Sequence, residues 1–170
     1  MESEMTFSIS FPIALRPVFQ WCDSSWLALA IRDSTWMFAV VEILHLLGLT
    51  VLLGSLVVLH LRLLGLGMRR QPVSQLAGEL APWIRGGLIF TVATGAVLFL
   101  SEAMKCYGSP PFAVKMLLLS VAIGSHLIIF RQAVRMEASA RLPLWTRPAA
   151  CVSLALWFGV GLAGRAIGFQ

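Results

Sequence analysis

The sequence predicts an all-α fold, an integral membrane bundle of four transmembrane helices preceded by a short interfacial N-terminal helix. Three observations predict it. Of 170 residues, 58% are hydrophobic and only 12% charged, with mean hydropathy +0.85. A soluble domain is about half apolar and a quarter charged, so a chain this poor in polar skin must turn its excess apolar surface to lipid. Four apolar runs are each long enough to cross a hydrocarbon core, which takes roughly 20 residues of helix. No period-two alternation or hairpin turn competes with them, and backbone inside lipid must satisfy its own hydrogen bonds.

Taken in order, the chain divides into a periplasmic or interfacial N-terminal segment, 1–33, and a four-helix transmembrane domain, 34–170. The opening MESEMTFSIS lacks the basic start and directly following apolar core of a cleavable signal peptide. The first span is therefore expected to act as an uncleaved insertion signal. Phe7–Phe19 contains Pro12, Arg16 and Pro17 and cannot be one straight helix, since proline lacks the amide donor and clashes with the preceding turn. Ser24–Ile31, with a serine to cap it and Trp21, Trp26, Asp23, Arg32 and Asp33 around it, reads as a short helix lying in the interface, its indoles at headgroup level.

The spans are expected within Trp36–Leu66, Ile84–Ser101, Phe112–Phe130 and Ala149–Ile167. The first exceeds what a bilayer needs, so it is tilted or runs past the surface. Small residues recur at close-packing spacings: Gly48 with Gly54 and Ser55, Gly86 and Gly87 with Gly95, and Gly159, Gly161 and Gly164. Such seams let membrane helices approach closely. The length leaves no room for a separate soluble catalytic domain.

Net charge is +5. The basic residues form no single stripe interleaved with exposed aromatics, which argues against a nucleic-acid partner. They gather in the connections instead. Connections 62–85 and 131–148 share one face and hold Arg62, Arg69, Arg70, Arg85, Arg131, Arg135, Arg141 and Arg147. The other face holds Arg16, Arg32, Lys105, Lys115 and Arg165, with six of the eight acids. The positive-inside rule then places both termini and the 102–111 connection in the periplasm, with the chain in a bacterial inner membrane.

Ionisable groups within a span are expensive and mark candidate functional residues. All three histidines fall in spans: His45 and His60 on the first, together with Glu42, and His126 on the third, together with Lys115. His45 and His60 lie about 60° apart around the helix and roughly 22 Å apart along it, while Lys115 and His126 lie about 20° and roughly 16 Å apart. Both spans run outside to inside, so Glu42, His45 and Lys115 share the outer half and His60 and His126 the inner half. The inner pair suggests bis-imidazole ligation of a b-type haem, with iron held between facing helices. Arg62, Arg131 or Arg135 would pair with the propionates. The alternatives are another metal at His60 and His126, or no metal, with His60 solvated near the interface and His126 bonded to a neighbouring helix.

Glu42 and His45 form E-x-x-H on one helical face. Glu42 is expected to orient His45, with Glu102 and Lys115 completing a buried polar network. That cluster would serve proton transfer or a quinone site, or else would only fix helix register. A di-iron carboxylate centre needs a second such motif, which is missing. Cys22 and Cys106 fall on the outer face, where a disulfide is permitted. Met104 and Cys106 offer soft sulfur to copper(I). No CxxC, nucleophile elbow or phosphate-cradling loop is present, so no self-contained catalytic site is expected, at most a redox subunit.

Several stretches resemble an uncharacterised family of small bacterial multi-pass inner-membrane proteins, known only as a domain of unknown function. They are Ser34–Thr35–Trp36 leading into VVEILHLLGL (40–49), LHLRLLGLGMRR (59–70), APWIRGGLIFTVATGAVLFLSEA (81–103) and SPPFAVKMLLL (109–119), about two thirds of the chain. The resemblance implies a membrane protein, supplies no activity, and carries over Glu42, His45, Arg62, Pro82, Trp83, Glu102 and Lys115. It also implies an acid where His60 stands, so haem ligation by His60 and His126 would be particular to this chain. A looser likeness to small haem-binding membrane bundles rests only on the style of His-bearing spans. The expected function is a b-type haem-binding electron-transfer or membrane-anchor subunit between a quinone and a partner oxidoreductase. The alternative is a small transporter or structural subunit with no cofactor, although no broken helix or inverted repeat of a transporter is visible.

Overall fold

A computed structural model describes residues 12–68, 70–135, 143 and 145–169. The opening MESEMTFSIS, the start of Phe7–Phe19, and Arg69 and Arg141 of the charge count lie outside those residues. The described chain is helical, with no strand. After a 3-10 turn at Ile13–Leu15 come α1 (Arg16–Asp23), α2 (Trp26–Asp33), α3 (Met37–Leu64), α4 (Val73–Ser101), α5 (Ala103–Tyr107), α6 (Pro110–Arg135) and α7 (Thr146–Ile167). Among the described residues α3, α4, α6 and α7 are long and apolar enough to cross a membrane, and they fit a multi-pass membrane protein.

The N-terminal segment holds two short helices where one was expected. Pro17 opens α1, in the first turn where its missing amide costs nothing. The cap of α2 is Ser25, one residue beyond Ser24: its hydroxyl accepts from the Ala28 amide at 3.3 Å. Arg32 folds back to pair with the Asp23 carboxylate at 2.9 Å and also donates to the Asp23 carbonyl. Phe19 and Cys22 of α1 bury themselves against Ala103 and Cys106 of α5, so α1, α2 and α5 together cap one end of the bundle. Trp21 and Trp26 remain 74% and 79% exposed there, indoles free for the headgroup layer.

The spans α3, α4, α6 and α7 pack as a four-cornered bundle in which each touches two neighbours. α3 lies beside α4 and α7, and α6 beside α4 and α7, so α3 and α6 occupy opposite corners and run in the same direction. The core is a ladder of Leu52, Leu56, Leu59 and Leu63 on α3, met by Ala77 and Ile84, Ala122 and Ile129, and Ala150, Trp157 and Val160 on the other three. Large residues such as Leu47, Ile89, Leu117, Ile128 and Leu162 stand exposed on the outside. Water would penalise that surface; lipid does not.

The second span begins eleven residues before its expected start. Gln75, Gly78, Glu79, Pro82 and Arg85 break the apolar run, yet Val73, Leu76, Ala77, Ala81 and Ile84 recur every three or four residues and are buried. Amphipathic spacing therefore carries α4 past the bilayer-like stretch. At the facing end, α3 stops at Gly65, whose φ of +76° suits a residue without Cβ, and Arg62 Nε donates to the Gln71 carbonyl at 2.8 Å to close the turn.

The tightest seam joins α3 to α4. A Cβ on Gly87 would lie 3.1 Å from the Leu52 nitrogen and 3.2 Å from its Cα, and backbone cannot swing aside. Gly87→Ala is expected to destabilise the bundle by about 1–3 kcal/mol, read as a lower melting temperature in detergent. Gly54→Ala, with open space around it, is expected to stay within about 0.5 kcal/mol. Equal stability of the two variants would refute so close an approach.

Candidate functional site

Two groups of polar side chains lie between the spans, one near each end. Toward the uncapped end, His60 follows Leu56 and Leu59 on the buried stripe of α3 and is 0% exposed. Its Nδ1 lies 2.6 Å from the Leu56 carbonyl one turn back. A carbonyl only accepts, so Nδ1 carries the proton and donates. Nε2 is then a lone pair aimed into the core, with no partner among the described residues. His126 on α6 is 5% exposed, and its Nδ1 is likewise unpartnered.

The two imidazoles come from opposite corners and lie within electrostatic reach of each other. The Trp157 indole of α7 stands edge-on to His126, with ring centroids 6.5 Å apart, and Phe130 lies at 5.6 Å. Trp157 Nε1 and Ser153 Oγ, one turn earlier on α7, are also buried and unpartnered. Four orphaned polar atoms thus collect in an apolar core. Leaving each unsatisfied costs about 1–3 kcal/mol, and buried polar groups are almost always bonded.

Of the arginines proposed beside this pair, Arg62 is half-buried and occupied by Gln71. Arg131 is exposed, five residues past His126. Among the described residues no three His, Cys, Asp or Glu side chains gather as a metal-binding group.

At the capped end, His45 of α3 takes a partner other than the expected Glu42. Its Nδ1 lies 3.0 Å from Thr94 Oγ1 on α4. Glu42 is exposed and acts on His45 only through its charge. The reason is steric: α4 presents Gly95 to the ring, where a Cβ would come within 3.0 Å of His45 Cε1, so the imidazole lies down against α4. Lys115 of α6 is half-buried and within electrostatic reach of His45. Its stem lies over Gly164 of α7, where a Cβ would meet Nζ at 3.3 Å. Glu102 does not join them. It pairs with Lys105 at 3.5 Å, both partly exposed, because α4 ends at Ser101 and Lys105 comes one turn later on α5.

Thr91 and Thr94, and Ser153 and Trp157, escaped sequence reasoning. Hydroxyls within spans ordinarily bond their own helix, as Thr94 does with the Phe90 carbonyl at 2.8 Å. For Thr94 the signal was the glycine beside it, Gly95.

Residues 18–170 match DUF6644, described as a family of unknown function. The chain belongs to this family. The match runs from α1 through α7, so both polar sites lie within the DUF6644 region. No curated protein and no solved structure matches the chain.

Cys22 and Cys106 of the DUF6644 chain are free thiols in the apolar contact beneath the cap, and Met104 packs against the same contact. Burial, with the Glu102 carboxylate adding to it, pushes the Cys106 thiol up to about 11. The thiolate is the reactive form, so at neutral pH Cys106 is expected to alkylate about a hundredfold more slowly than an unburied thiol. Its rate should keep rising until the pH nears 11. Mass spectrometry after timed labelling checks this, and fast modification at pH 7 would contradict it.

Proposed function

We propose that the bundle binds a b-type haem between His60 and His126 and works as a one-electron carrier in the membrane, between a quinol and a partner oxidoreductase. One observation carries the reading: two buried imidazoles from opposite corners, within electrostatic reach, each with a ring nitrogen that has no partner among the described residues. His60 already has the form of a metal ligand, its Nδ1 proton anchored on a backbone carbonyl and its Nε2 free. A bare divalent ion is a poor fit, because two neutral imidazoles with no carboxylate or thiolate leave it under-coordinated and its charge uncompensated in an apolar core. Haem brings four equatorial nitrogens and its own negative charge, and asks the protein for two axial ligands in apolar walls. Leucine and alanine line this part of the core, and Arg131 lies beyond His126 on the same helix for a propionate.

Bound there, the group would supply reversible iron oxidation without a proton. The residues' own part is to hold the two nitrogens at fixed depth and keep water out. Trp157 favours a second reading. Its indole is buried to 1% and already packs against His126, as in a network that only sets helix register.

An absorbance spectrum of detergent-purified protein separates the two. A Soret band and a sharp reduced α-band, both lost in His60→Ala and in His126→Ala, are expected. A colourless protein from cells supplied with haem would reject the carrier.

The arginine-rich, uncapped end is proposed to face the cytoplasm of a bacterial inner membrane, with both termini periplasmic. Alkaline phosphatase fused after Gln170 should be active, and an active cytoplasmic reporter at that position would reverse the orientation.

A further inference from the structure

Beneath the cap lies a second group of half-buried polar side chains that the haem reading does not use. His45 sits eight residues into α3, roughly 12 Å along it. Facing it are Thr91, Thr94 and Gly95 of α4, and within electrostatic reach is Lys115 of α6, whose stem lies over Gly164 of α7. The hydrogen-bond pattern fixes what the group offers. The Thr94 hydroxyl gives its proton to the Phe90 carbonyl at 2.8 Å, so toward His45 its oxygen can only accept. The Thr91 backbone is a second acceptor for the ring. Nδ1 of neutral His45 is therefore the donor, and Nε2 presents a lone pair. The Lys115 ammonium, which carries donors only, has no carboxylate or hydrogen-bond partner among the described residues. An acceptor and a cationic donor thus lie within electrostatic reach of each other at one end of the bundle.

From this arrangement we infer that His45 and Lys115 bind the phenolic head of a lipid-soluble quinol, its hydroxyl donating to His45 Nε2 while the same oxygen accepts from Lys115 Nζ. A fatty-acid carboxylate or lipid phosphate satisfies Lys115 but brings no proton of its own for His45 Nε2, which must take one from elsewhere before it can donate. A weakly acidic O–H satisfies both. An apolar groove of about 510 Å³, lined by Leu47, Gly48, Val51, Trp83, Gly86 and Phe90 among others, runs along the lipid-facing side of the α3–α4 seam. It ends within one turn of His45 and Thr94 and suits an isoprenoid tail. The inference extends the carrier reading, for which a quinol would be the donor, but its test needs no haem.

Calorimetric titration of the purified full chain with a short-tailed ubiquinol, its oxidised quinone and oleate tests the assignment. The quinol is expected to bind at least tenfold more tightly than the quinone, which has no proton to give Nε2. His45→Ala should abolish that preference, and Lys115→Met should weaken both forms at least tenfold. Gly86 has open space at its Cβ position, so Gly86→Leu should fold normally, fill the groove and weaken only long-tailed quinol. Equal affinity of wild-type protein for quinol and quinone would overturn the assignment, whether or not the variants fold, and so would tighter binding of oleate. A missing Soret band with the quinol preference intact would refute the haem alone.

Discussion

Polar groups cannot be left in hydrocarbon without a partner, and this one constraint orders the molecule. It makes the four spans helical, sends Leu47, Ile89 and Leu117 outward, buries His60 and His126, and turns His45 and Lys115 against neighbouring helices. Once there, each imidazole takes what its surroundings allow. His60 has only its own helix and bonds the Leu56 carbonyl, whereas His45 has α4 laid against it and bonds Thr94. The two ends of the bundle thus differ in chemistry although histidines of the same helix supply both.

Glycine makes that difference possible. Gly95 and Gly164 each leave room for a polar side chain on a neighbouring helix, and Gly48 and Gly87 let α3 and α4 approach until side chain and backbone touch. Small residues in membrane helices are commonly read as packing alone. Here the same residues decide where His45 and Lys115 can lie.

Much of the fold was legible because apolar length and arginine-bearing connections are direct consequences of the bilayer. The depth pairing of His45 with Lys115 and of His60 with His126 could be read from helical rise and direction alone, and the structure places each pair within electrostatic reach. Less was visible where packing rather than composition decides. The first three turns of α4 were obscured by Gln75, Glu79 and Arg85, which face away from the buried stripe. Glu42 and Glu102 were assigned to His45 and Lys115 by proximity in sequence or depth. A glycine on α4 and a helix break at Ser101 gave His45 and Glu102 other partners. Ser153 and Trp157 could not be assigned without knowing that α7 stands between the corners occupied by α3 and α6.

The Gly87–Leu52 contact has a mechanical consequence. Leu52 lies seven residues from His45 and eight from His60, so the point where α3 and α4 cannot part is nearly midway between the two polar sites. Gly48 closes the same seam against Phe90 and Thr91 one turn nearer His45, so the two helices are held together over the whole stretch between the sites. The separation of the two polar sites along α3 is therefore set by packing against α4 rather than by anything polar between them.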